Sequence, residues 1–308
     1  MGKTKIIFVG NYKGGVGKTT SVLNFAEHFS KSGKSVLALD LDPQSSLSEI
    51  LVSNNGEKLR NIDLKKTLNY VYDLTITRIK KYSSLDLQFG LDIVQHYEKG
   101  KYDFIASSLF YREELGLDEL AIRMEDNIEY LSILKNFLVS VLKDGAYDFV
   151  LIDCPPSNNL ITKSAFLLSD YYIIPTILDG ISANGVAHYV KTVNKTYDKY
   201  CKRSEDSFLA KHYFGDRPEL IGIFCTFIRG QVGYSEEVDK LKDVVRQAFA
   251  EEADKQEVHF FEEEINNYID IARSTATGIA SKARSDYKVL SQSVLKRIEE
   301  MEKSKFYR

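Results

Sequence analysis

Three features of the sequence predict an α/β fold with a mostly parallel, twisted sheet and helices on both faces. Short, uniformly apolar runs recur, as expected of strands covered on both sides; segments with helical periodicity separate them; and the first two runs are spaced to hold a single helix between them. Lys5-Ile6-Ile7-Phe8-Val9 is the first strand. Val22, Phe25, Ala26 and Phe29 then fall at helical spacing, with Gly33 as a helix stop, before a second strand at Ser35-Val36-Leu37-Ala38-Leu39. Together they form a βαβ unit. Further strands are predicted at Asp148 to Ile152, Tyr171 to Pro175 and Leu220 to Phe224, with helices over Ile128 to Leu142 and Glu236 to Phe249. The stretch from about 44 to 126 has no clean repeat and reads as a helical elaboration with one strand near Tyr102 to Ala106. A C-terminal helix is expected over about 284–304. With no Ser/Gly linker, repeat or low-complexity segment, residues 1–308 read as one elaborated domain.

Composition removes several function classes. The 41 Lys plus Arg against 44 Asp plus Glu leave a net charge of -3, so any nucleic-acid contact must come from a local patch. No stretch approaches the roughly 18 apolar residues of a membrane span, and Met1 to Asn11 lacks a signal-peptide core, which predicts a cytosolic protein. Gly2 does not start a myristoylation motif, because position six is Ile6. Cys154, Cys201 and Cys225 are too scattered for a disulfide framework or a zinc ribbon and read as plain thiols. The five histidines lack H-E-x-x-H spacing and no G-x-S-x-G occurs, which removes zinc and serine hydrolases.

The chemistry begins at Lys13-Gly14-Gly15-Val16-Gly17-Lys18-Thr19-Thr20, between the first strand and its helix. Glycines permit a turn that aims successive backbone N–H groups inward, and the helix start adds its positive end, so the loop is an anion-binding nest. Lys18 would reach the β- and γ-phosphates of a nucleotide and the Thr19 hydroxyl would bind Mg²⁺. The general G-x-x-x-x-G-K-[ST] pattern fails, since Tyr12 stands where its first glycine belongs; a second lysine, Lys13, opens the loop instead. Asp153 ends an apolar strand, where a carboxylate can hold Mg²⁺ through water. Asp40 and Asp42 alternate with Leu39 and Leu41, which places both acids on one face of a strand end.

K-G-G-V-G-K-T-T matches the deviant Walker A loop, and here the chain resembles the ParA/Soj partition ATPases within the MinD/ParA group of P-loop NTPases. Leu39-Asp40-Leu41-Asp42-Pro43-Gln44 resembles the family's switch I, and Tyr147 to Pro156 its Walker B strand and switch II, in family order. Weaker similarity runs from about Lys3 to about residue 295. The resemblance implies ATP and Mg²⁺ as cofactors, Lys13, Lys18 and Asp42 as catalytic residues, and Thr19, Asp40 and Asp153 at the metal. Asp42 would position or activate the attacking water. Lys13 would contact the nucleotide of the other subunit in a face-to-face homodimer, and Asn11 would face it too or bond to its own backbone. Nucleotide contacts are expected from Asn11, residues 13–20, and Thr226 and Phe227 after a late strand.

The resemblance also implies nonspecific DNA binding and a ParB-like centromere-binding partner that stimulates an otherwise weak ATPase, in a cytoplasmic, nucleoid-associated protein. Lys282, Arg284 and Lys288 are the candidate DNA contacts, in a C-terminal segment from Lys282 with eight basic and four acidic residues. Lys191, Lys195, Lys199, Lys202 and Arg203 form a second basic cluster on a predicted helix, while Asn266-Asn267 stand where some relatives carry a basic residue. Charged helix faces are also ordinary solvated surface. With the loop opening at Lys13, no helix-turn-helix segment is expected before it. Leu290, Val294, Leu295, Ile298 and Met301 could form one apolar stripe, either packed on the sheet or inserted in a membrane as in MinD-type relatives; Glu299, Glu300 and Glu302 oppose anionic lipid, so no membrane partner is expected. Two alternatives stand beside partition: a MinD-like positioning ATPase acting at a membrane or on another cargo, and a nucleotide-gated binding module with negligible turnover.

Overall fold

A computed structural model of the chain describes residues 4–82, 89–113, 115–142, 146–178, 182–228, 235–250, 258–266 and 283–306. The elements in chain order are β1 (Lys5–Val9), α1 (Lys18–Lys31), β2 (Val36–Asp40), α2 (Ser46–Asn54), α3 (Leu68–Tyr82), β3 (Gln95–Tyr97), β4 (Tyr102–Ile105), α4 (Leu117–Ile122), α5 (Ile128–Leu131), α6 (Ile133–Val141) and β5 (Phe149–Asp153). They continue with α7 (Leu160–Leu168), β6 (Tyr171–Thr176), α8 (Ser182–Asp198), a π-helical turn (Lys199–Arg203), α9 (Ser207–Phe214), β7 (Glu219–Ile228), α10 (Ser235–Ala250), β8 (Ile265–Asn266) and α11 (Ala283–Phe306). The strands form one sheet in the order β3-β4-β2-β5-β1-β6-β7-β8. Every described pairing is parallel except β3 against β4.

Successive strand residues supply opposite faces of this sheet. Phe8, Leu37, Leu39, Val150, Ile152, Tyr172 and Ile174 join the core beneath α3 to α8. Ile7, Val9, Val36, Ala38, Phe149, Leu151, Tyr171 and Ile173 join the core beneath α1, α2 and α11. That two-sided burial is why the strands read as unbroken apolar runs. The three cysteines are free and buried, as plain thiols should be.

Three departures from the expected elements have local causes. The helix predicted over 128–142 is split at Ser132 (φ -82°, ψ -8°), whose hydroxyl donates to the Glu129 carbonyl at 2.7 Å, while Asn127 accepts from the Tyr130 N–H at 3.2 Å and starts the short first piece. The helix carrying the 191–203 basic cluster stops at Asp198 and becomes the π turn. The strands β3 and β8 are too short to leave a pattern.

The helix α11 spans the height of the sheet. Its apolar stripe is packed against α1 and the sheet, with Leu290, Val294, Ile298 and Met301 buried and Leu295 partly so. At one end the Tyr287 hydroxyl lies 3.0 Å from Ser21 Oγ in α1. At the other, Glu302 accepts from Lys5 and from the Tyr171 hydroxyl, and Lys305 pairs with Glu219 at 3.0 Å and lies over the Tyr171 ring.

Tyr189 of α8 packs edge-on against Tyr12, Phe8 and Phe166. Its hydroxyl is buried without a hydrogen-bond partner and points at Gly10, where a Cβ would lie 1.8 Å from Oη. Burial pushes its pKa well up. Tyr189→Phe removes an unsatisfied buried hydroxyl and is expected to stabilise the fold by about 1 kcal/mol, read as a higher denaturation midpoint. A midpoint lowered by the change would show that the hydroxyl has a partner.

Candidate functional site

The sheet register assembles the site. Val9, Asp153 and Asp40 are neighbours across β1, β5 and β2, at the carboxyl ends of the three strands, so both acids stand beside the loop that leaves β1. The loop is pinned to the sheet by Gly10 N–H donating to the Ile173 carbonyl at 3.2 Å. Gly15 and Gly17 take φ of 71° and 81°, values that favour glycine, and Gly17 leads directly into α1. The result is a nest of backbone amides at a 14-residue helix start.

Lys18 is 7% exposed and folds back over the loop, its Nζ donating to the Lys13 carbonyl at 3.1 Å. Burial lowers its pKa, opposed by the nearby charges of Asp153 and Asp42. Lys13 is half-buried at the start of α8, where its Nζ donates to Ser182 Oγ at 3.2 Å within the same chain. Thr19 and Thr20 follow in the first turn of α1, half-buried.

Asp153 is fully buried, and neither carboxylate oxygen accepts a hydrogen bond of normal geometry. Burial, then the Asp40 charge, push its pKa well up; the Thr19 hydroxyl and Lys18 act in the opposite direction. Two orphaned acceptors beside a threonine hydroxyl at a phosphate-type loop fit a hard divalent cation. Among the described residues no cluster of three or more His, Cys, Asp or Glu could hold a metal by itself. The fit is therefore to an ion that arrives with phosphate and water ligands, as magnesium does.

Asp40, expected at the metal, is hydrogen-bonded within its own chain. Its Oδ1 accepts from Asp42 N–H at 3.0 Å, and its Oδ2 accepts from Ser48 N–H at 2.8 Å and Ser48 Oγ at 2.7 Å. Burial pushes its pKa up to about 6, against the Ser48 bonds. Asp40 thus shapes the turn that presents Asp42. In that turn Gln44 N–H donates to Asp42 Oδ1 at 2.9 Å and Ser45 N–H to the Asp42 carbonyl at 2.8 Å, which leaves the Asp42 side chain half-buried at the mouth.

Two residues expected at the nucleotide, Asn11 and Thr226, support the loop internally. Asn11 is 1% exposed, with Oδ1 accepting from Lys13 N–H at 3.0 Å and Nδ2 donating to the Pro175 carbonyl at 2.9 Å. Thr226 is 2% exposed, and its hydroxyl lies 3.0 Å from the Val16 carbonyl and 3.1 Å from that of Thr176, tying the loop to β6 and β7. Their short polar side chains satisfy backbone groups that a buried loop would otherwise leave unpaired. Phe227 does reach the loop. It holds a left-handed φ of 58°, strained for an aromatic residue, and its ring lies 3.6 Å from where a Gly17 Cβ would be.

The DNA candidates are placed unevenly. Lys282 and the Arg284 side chain lie outside the described residues, and Lys288 is exposed on α11. Asn266 binds Asp286 of α11 through its N–H and Nδ2, at 3.3 and 3.1 Å. In the second cluster Lys199 pairs with Asp126 and Lys202 with Asp198, while Lys195 and Arg203 are exposed.

A parallel sheet whose first strand runs through a glycine loop into a helix headed by Lys18-Thr19, with acids at the neighbouring strand ends, defines a P-loop NTPase. Residues 4–205 match the family model AAA_31, AAA domain, and the chain belongs to that family, as a member of the ParA/Soj type. An uncharacterised protein of Mycobacterium tuberculosis is 33% identical over 198 residues, 64% of this chain and 54% of its own length. The sporulation initiation inhibitor protein Soj of Bacillus subtilis is 30% identical over 61% of this chain and 64% of its own. The chain thus spans about half to two thirds of these relatives. A plasmid partition protein from Borrelia burgdorferi bound to AMPPNP superposes with a TM-score of 0.65 at 20% identity, covering 97% of this chain and 100% of the other. Cobyrinic acid a,c-diamide synthase from Mycobacterium smegmatis, with bound ADP and magnesium, gives 0.66 at 20% identity over 96% of each chain. At such identity the structures share the fold, and the fold alone does not choose between their chemistries.

Proposed function

We propose that the chain is a single-unit partition ATPase. ATP fills the loop of residues 13–20, two copies close over the paired nucleotides, the dimer holds nonspecific DNA, and a ParB-like partner accelerates hydrolysis and releases it. The carrying observation is the convergence of Lys18, the orphaned Asp153 carboxylate and the half-buried Asp42 on one glycine loop. ATP as the nucleotide is supported by the AMPPNP-bound partition protein and by similarity to Soj.

In this mechanism a water oxygen bonds to the γ-phosphorus while the bond to the β–γ bridging oxygen breaks, yielding ADP and phosphate. Asp42 orients that water and takes its proton. Lys18 reaches the β- and γ-phosphate oxygens, and Lys13 adds a second cation from the neighbouring copy. Thr19 and, through water, Asp153 would hold magnesium, which when bound neutralises phosphate charge.

Phosphate release, measured with and without DNA and with the protein encoded beside this one, tests the reading. Slow turnover that rises with both is expected; ATP binding with no release under any condition would instead mark a nucleotide-gated module. The packed stripe of α11 counts against the membrane alternative, and in flotation with ATP the protein is expected to stay off anionic vesicles. DNA affinity should fall with salt on a log–log slope of about -3.6, if a dimer neutralises about four phosphates. A flat response would remove both basic clusters from the DNA surface.

A further inference from the structure

Beyond the acids and lysines, a chain of buried serines fixes where Asp42 stands. Ser45, Ser48 and Ser107 are each at most 1% exposed. Ser45 caps α2 from a left-handed φ of 53°, a conformation that a non-glycine residue holds only when its surroundings impose it. The surroundings here are Ser107, whose hydroxyl lies 3.0 Å from Ser45 Oγ and 3.4 Å from the Asp42 carbonyl, and whose N–H donates to Ser48 Oγ at 2.8 Å. Ser48 in turn donates that hydroxyl's proton to Asp40. Every link is thereby satisfied, the condition under which a buried polar network rigidifies.

Ser107 is itself anchored from behind. It follows Ala106, whose carbonyl accepts from Leu68 N–H at 2.8 Å at the start of α3. The next residue, Ser108, donates its N–H to Asn69 Oδ1 at 2.8 Å, and Asn69 Nδ2 donates to the Leu115 carbonyl at 3.1 Å. One turn further along α3, Asp73 accepts from the Tyr111 hydroxyl at 3.0 Å and from Arg112 Nη1 at 2.7 Å. The loop after β4 is therefore fastened along its length to α3, and Ser107 is its contact with the Asp42 turn.

We propose that Ser107 is a positioning residue for hydrolysis: it transmits the rigidity of α3 and the loop after β4 to the Asp42–Ser48 turn and so holds Asp42 at its attacking water. This rests on the hydrolytic role given to Asp42 above. A displacement of the turn by a fraction of an ångström misplaces the carboxylate without touching the phosphate nest, so the effect falls on turnover and not on nucleotide affinity.

The test compares the full chain with Ser107→Ala and with Ser107→Cys, which keeps the shape with a larger atom but weakens the bond, folding being checked by circular dichroism. Amide hydrogen exchange at Gln44, Ser45 and Ser48 is followed without nucleotide, and ATP turnover separately. Exchange faster by about five- to tenfold in Ser107→Ala, with a smaller increase in Ser107→Cys, is expected from one lost hydrogen bond. kcat should fall by about tenfold with KM unchanged. Unchanged exchange overturns the proposal whatever the turnover does, and so does a loss confined to KM. If exchange quickens while the parent chain binds ATP and releases no phosphate, the brace stands and the hydrolytic reading falls.

Discussion

Lys13→Ala is expected to abolish ATP-dependent dimerisation and to lower turnover by about a thousandfold or more, while the monomer's affinity for ATP stays nearly intact. The expectation follows from which atoms of Lys13 build the loop. Its carbonyl receives Lys18 Nζ and its N–H donates to Asn11 Oδ1, and alanine keeps both. The side chain instead leaves the nest, with Nζ at Ser182 Oγ on α8. In the proposed dimer a cation held there would serve a second nucleotide across the seam and contribute little to its own. Sedimentation with magnesium and ATP, beside equilibrium nucleotide binding and phosphate release, separates the roles. Normal ATP-induced association together with normal turnover in this variant would reject the trans role.

The second large effect is at Asp42. Asp42→Ala and Asp42→Asn are both expected to reduce turnover by about 10² to 10⁴, the range of a lost general base, and to accumulate the ATP-bound dimer. The turn itself depends on Asp42 backbone atoms: the carbonyl accepts from Ser45 N–H, and the N–H donates to Asp40. Alanine removes only the Oδ1 bond from Gln44 N–H, worth about 1 kcal/mol, and asparagine keeps an oxygen acceptor there. If Asp42→Asn hydrolyses ATP at the parent rate, Asp42 is a turn builder and the water is activated elsewhere. If the hydrolysis-dead chain with magnesium and ATP stays monomeric at every concentration, the dimer switch is wrong.

Legible in the sequence is whatever the chain encodes over a few neighbouring residues. Strands β1, β2, β5, β6 and β7 announce themselves because both faces of the sheet are covered, and the nest because glycines, lysines and threonines sit side by side. Asp153 was legible as the acid that ends an apolar strand. Asp40, Asn11 and Thr226 suit ligand roles by type and place, whereas their hydrogen bonds to Ser48, Pro175 and Val16 depend on tertiary packing and leave no local pattern. Ser107 left no trace, since its partner Ser45 is 62 positions away and neither belongs to a recognisable pattern. The break at Ser132 is the same lesson on a small scale: periodicity continues through it, and one side-chain bond to Glu129 interrupts the helix.

The terminal helix also makes a built-in ruler. Because Tyr287 touches the first turn of α1 and Glu302 grips the opposite rim at Lys5 and Tyr171, its exposed lysines 288 and 303 stand near different rims of the sheet. At 1.5 Å per residue they are roughly 22 Å apart on one rigid rod. Probes at these two positions would therefore register motion beside the phosphates separately from motion at the far rim, with the rod itself as the internal standard.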